Sequence, residues 1–99
     1  MFGRPSAKSE GKLALAALDR ALAAKPKKAG HDFAEMTEHL CAMRDIMIRS
    51  RREGGRTEEL ERLNPIISTA LAGHFPLGNI PWSEVEHARG ALKELIGEV

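Results

Sequence analysis

A chain of 99 residues with a formal net charge of +1 and one cysteine describes a single domain with a single core, and it excludes an internal disulfide and a cysteine-rich zinc site. Lysines and arginines are offset by carboxylates along most of the chain, so charge alone points to neither a nucleic acid nor a membrane surface. No apolar run reaches the roughly twenty residues that a spanning helix needs, and a cytoplasmic protein is expected.

Residues 1–8 read as a disordered lead punctuated by Gly3 and Pro5, and 9–99 as one helical domain. The run LALAAL at 13–18 follows a basic start as a signal peptide would. Asp19 and Arg20 interrupt it, however, and the helical period continues through Leu22. Ser9 is the expected N-cap of this first helix, with Leu15, Leu18 and Leu22 sharing a face with Ala14 and Ala21. Gly11 falls in the first turn, where glycine costs least. Lys25 and Pro26 end the helix, because the residue before a proline avoids the helical region. The short connection that follows makes the first two helices an antiparallel hairpin.

The longest uninterrupted helical pattern runs from His31 to Glu53. Phe33, Met36, Leu40, Met43 and Met47 recur at spacings of three and four and form one apolar stripe, flanked by Ala42 and Ile46 on one side and Cys41 and Ile48 on the other. This predicts a central helix, about 31–53, that the others cover. Gly54 and Gly55 end it, and Thr57 opens the next helix with Glu58 and Glu59 in its first turn, favourable for the helix dipole. Leu60, Leu63, Ile67, Ala70 and Leu71 keep one face. At Pro65, which points away from that face, the helix either continues with a kink or restarts with Asn64 as cap and Pro65 at the first position; the Asn-Pro pairing favours the break.

The segment 73–82, GHFPLGNIPW, has no helical period yet carries Phe75, Leu77, Ile80 and Trp82. It either closes the open end of a bundle as a lid or presents an anchor to another protein. Ser83 and Glu86 form a capping box, with Trp82 at the staple position. Val85, Ala88, Leu92, Leu95, Ile96 and Val99 mark the buried face of the last helix. The expected fold is all-α, a small bundle of four to five helices around the central one.

The chemistry is sparse. His31, Glu35 and His39 rise along one side of the central helix, with His74 and His87 elsewhere, but the two histidines are about 12 Å apart along the axis, too far for one ion. A solvated polar face is the expectation, with no metal and no cofactor. The methionines of the central helix fall on its core stripe, and no haem attachment motif accompanies them. Cys41 lies in mid-helix away from any helix N-terminus, where a thiol is inert. Ser68 and Thr69 lack a neighbouring base, and no phosphate loop is present, so an enzyme is not expected.

The leading expectation is a small cytosolic protein-interaction module of bacterial style, a regulator, inhibitor or accessory subunit and a possible homodimer. It binds a partner through Phe75, Leu77, Ile80, Trp82 and Leu92. The alternative is a nucleic-acid-binding regulator in which dimerisation brings together Arg49, Arg51, Arg52 and Arg56 of two copies. The cluster of Lys25, Lys27 and Lys28 falls at the opposite end of the hairpin and does not extend that patch. A helix-turn-helix at Asn64 is not supported, since the following helix lacks side chains that read bases.

Overall fold

The computed structural model describes residues 6–25, 30–52 and 57–98, and these form four helices: α1 (Ala7–Ala24), α2 (His31–Arg52), α3 (Thr57–His74) and α4 (Trp82–Glu98). Every helix packs on its chain neighbours and α4 returns to α1, an antiparallel ring around one shared core. The antiparallel sense is visible in cross-helix pairs: Glu10 with His39, Arg62 with Glu98, and Arg89 with Asp19.

Helix α1 begins earlier than the expected cap at Ser9. Ser6 is the N-cap, its hydroxyl accepting from the Ser9 N–H at 3.0 Å, while the Ser9 hydroxyl accepts from the Ser6 N–H at 2.8 Å. This reciprocal pair is a capping box with serine in the place usually held by glutamate. At the other end Lys25 adopts φ 42 and donates its N–H to the Ala21 carbonyl at 2.7 Å. That left-handed residue satisfies an orphan carbonyl just before Pro26.

The stripe of α2 is buried along its whole length, from Phe33 through Met36, Leu40 and Met43 to Met47. Yet α2 is one member of the ring and not a helix wrapped by three others. Helix α4 contributes Val85, Ala88, Leu92, Leu95 and Ile96 to the same core, and α1 contributes Ala14, Ala17, Leu18 and Ala21. The small residues of α1 let its neighbours approach closely.

Helix α3 runs unbroken through Pro65, against the break expected at Asn64. Leu63, Ile66, Ile67 and Ala70 are buried on one side while the proline ring is exposed. The carbonyl of Glu61, which has lost its usual partner in the proline nitrogen, therefore lies on the wet side of the helix. Thr69 adds a side-chain donor to the Pro65 carbonyl at 3.1 Å. Burial of the helix's inner face outweighs one missing backbone bond.

The start of α4 also differs from the sequence expectation. The Val85 N–H donates to the Pro81 carbonyl at 3.0 Å, which makes Pro81 the cap and leaves Ser83 at the second helical position. Trp82 is drawn onto the ring of Phe33, centroid to centroid 5.8 Å at a tilt of 50°.

Two glycines allow close approach. A Cβ on Gly73 would stand 2.1 Å from Cε1 of Phe33, and one on Gly11 would stand 2.9 Å from Cγ1 of Ile96 and 3.2 Å from the sulfur of Met43. Around Gly11 the neighbours are a flexible thioether and an isoleucine at the edge of the core, so both can shift. Gly11→Ala therefore leaves stability within about 0.5 kcal/mol of the wild type, since alanine's helix propensity of about 1 kcal/mol offsets the crowding. Urea unfolding checks this.

Candidate functional site: the α3–α4 face and its connecting loop

The loop between α3 and α4 divides its apolar residues between core and solvent. Gly78 adopts φ 136, a left-handed conformation that glycine alone takes without strain. Before that turn Phe75 is 67% exposed and Leu77 fully so; after it Ile80 is 5% exposed. Trp82 is half-buried against Phe33. The lid and the projecting anchor are thus two halves of one segment, and the physical reason is the reversal at Gly78.

Of the five residues expected to form the docking surface, Ile80 and Leu92 are core. Leu92 has no exposed area at all, so neither offers a contact while the bundle is closed. Leu71, expected in the core, is 41% exposed and lies one turn before Phe75. The Phe75 N–H donates to the Leu71 carbonyl at 2.9 Å, which places these two side chains on one flank at the C-terminal end of α3. Phe75 also meets the His74 ring edge-on at 4.3 Å. The exposed apolar set is therefore Leu71, Phe75 and Leu77.

A groove of about 450 Å³ runs between α3 and α4. Ile66 and Ala88 form its buried floor, Pro65, Thr69 and Ala91 its walls, and Glu61, Glu84, His87 and Glu94 its exposed edges. Arg62 also borders it but is paired with Glu98. Among the described residues no cation pairs with Glu61, Glu84 or Glu94. The groove exists because α4 carries Ala88 and Ala91 where larger residues would fill the seam. Those small residues are its only sequence signal, and it is weak because small residues equally serve close packing.

The polar side of α2 is used differently. Arg20 of α1 donates from Nε to Asp32 at 3.0 Å and from Nη2 to Glu35 at 2.7 Å. Its guanidinium is held charged even more firmly than usual by the hydrogen bond to Asp32, which with the help of Glu35 outweighs the opposing desolvation. His39 places Nδ1 2.6 Å from Glu10, nearer than its 3.9 Å approach to Glu35, and His31 lies 3.5 Å from Glu35. The residues that read as an imidazole and carboxylate series along one helix are thus a strap between α1 and α2. Among the described residues no group of three histidine, cysteine or acidic side chains is placed to hold a metal ion.

Cys41 is half-buried on α2 as a free thiol. Arg49 is exposed on the same helix. The side chains of Arg51 and Arg52, and the whole of Arg56, Lys27 and Lys28, lie outside the described residues, as does Val99. No described helix is long and apolar enough to cross a membrane. No family model, curated protein or solved structure matches the chain.

Proposed function

We propose that this chain is a protein-interaction module, a regulator, inhibitor or accessory subunit that acts by docking another protein on the face made by α3, its loop and α4. The observation that supports this reading is the exposure of Phe75 and Leu77 after Leu71; among the described residues the one other large apolar side chain so exposed is Leu13 on α1, which stands alone. The same loop sends Ile80 inward and rests Trp82 on Phe33, so the projecting residues stand on a rigid base. A backbone anchored in this way loses little further entropy when a partner covers the side chains it carries.

Burying Phe75 and Leu77 against a partner contributes about 3 kcal/mol together, which is about a hundredfold in affinity. The double substitution Phe75→Ser with Leu77→Ser therefore removes binding and leaves the melting temperature unchanged. A direct test places a photo-cross-linking amino acid at position 77 and, as a control, at exposed position 12, in extract of the cells that naturally make the chain. A discrete protein adduct from 77 and none from 12 is expected. Equal smears from both positions sink the reading. An adduct to nucleic acid that disappears as salt is raised would replace it with the arginine-cluster alternative, and an adduct to a second copy would assign the surface to a homodimer.

A further inference from the structure

We infer that the groove between α3 and α4 receives a cationic amphipathic helix of the partner, seated with its apolar face on Ile66 and Ala88 and its basic side chains against Glu61, Glu84 and Glu94. The inference rests on the docking reading above and specifies the chemistry of what is docked.

The lining is rich in acceptors and poor in donors. Three carboxylates stand at the edges without an ion pair among the described residues. Pro65 leaves the Glu61 carbonyl without its helical donor on the same side. Of the donors nearby, Arg62 is committed to Glu98 and the Thr69 hydroxyl to the Pro65 carbonyl, which leaves the His87 imidazole as the uncommitted donor among the described lining residues. A ligand that brings donors and positive charge satisfies this surface, whereas an acidic segment meets repulsion at both ends.

The dimensions favour a helix over an extended strand. Glu84 and Glu94 lie on one helix about 15 Å apart along its axis at the usual rise of about 1.5 Å per residue. In the antiparallel pair Glu61 falls near the Glu94 end, since its neighbour Arg62 reaches Glu98. Charge is therefore concentrated at the two ends of the groove and small apolar residues occupy its middle. A helix about three turns long, with lysine or arginine near each end and small or aliphatic residues facing inward between them, matches that order.

The test uses the full chain and a fluorescein-labelled helical peptide of about fifteen residues with arginine at both ends and alanine and leucine on one face, beside a copy in which glutamate replaces each arginine. Fluorescence anisotropy reads affinity, and amide shifts of Ala88 and Ala91 by NMR report the location. Expected results are binding of the arginine peptide alone, a weakening of about tenfold in the Glu84→Lys, Glu94→Lys double variant, and further loss between about 50 and about 300 mM salt. Glu38→Lys, an exposed reversal on α2, leaves binding unchanged. Because all these carboxylates are exposed, circular dichroism should show the same helicity in each variant.

Equal binding of the two peptides, no binding of either, or indifference to the double reversal overturns the cationic occupant. The cross-link from position 77 would still stand in those cases, which separates failure of this inference from failure of the interaction reading. If the wild type instead self-associates and the double reversal makes it monomeric, the groove belongs to a second copy, and the inference is overturned on that ground.

Discussion

Gly73→Ala is expected to lower the stability of the bundle by about 2–3 kcal/mol, a fall of about 10–20 °C in melting temperature for a domain this size. The new methyl would lie 2.1 Å from Cε1 of Phe33 and 2.8 Å from Cδ1 and Cζ. The ring has no room to retreat, because Phe33 is fully buried and its other neighbour is the indole of Trp82. Alanine's better helix propensity, about 1 kcal/mol, offsets part of the overpacking and is already included in the range. The cause can be isolated with Phe33→Leu: the double variant should be less destabilised than the sum of the two singles, since leucine vacates the space the methyl needs. Thermal melts followed by circular dichroism decide it, and additive losses would show that the strain lies elsewhere. The contrast with Gly11→Ala is the sharper check, because both glycines sit in helices while the approach at Gly73 is closer and the opposing ring stiffer.

Leu92→Ala should destabilise by about 3 kcal/mol through lost burial and the cavity left behind, and it should not change the affinity of whatever folded protein remains for its partner. Leu92 is completely enclosed among the four helices, so nothing external can reach it. Denaturant unfolding gives the first quantity and the cross-linking yield from position 77, taken well below the melting temperature, gives the second. A stable variant that loses the cross-link would return Leu92 to the docking surface and require the bundle to open on binding. Trp82→Ala lies between the extremes. It removes a half-buried ring from Phe33 and so reports mainly on the lid.

The helical faces were legible residue by residue. Phe33, Met36, Leu40, Met43 and Met47, and likewise Val85, Ala88, Leu92, Leu95 and Ile96, are the stripes that periodicity marks and the structure buries. Periodicity succeeds there because a helix that packs along its length must present one side throughout. It was less exact at the flanks: Leu71 was read as inner and is partly exposed, while Ile66 is buried unannounced. Both stand near the border of the α3 stripe, where a few degrees of rotation about the helix axis set exposure. Of the candidate site, Phe75 and Leu77 were legible as apolar residues outside any helical period, but Ile80 carries the same signal and points inward.

The sequence by itself determined that this protein is built of helices, which side of each is apolar, and where glycine and proline interrupt them, since those are properties of residues close along the chain. Only the tertiary structure decided that α3 continues through Pro65, that four helices share the core in a ring, which way each apolar residue of the 75–82 segment turns, and that α3 and α4 leave an acid-edged groove between them. Each of those outcomes depends on what lies across the bundle: the burial of Ile66 and Ile67 against one missing hydrogen bond, the ring of Phe33 on Gly73 and Trp82, and the small residues of α4 facing α3. Such contacts join residues far apart in the chain, and no local pattern specifies them.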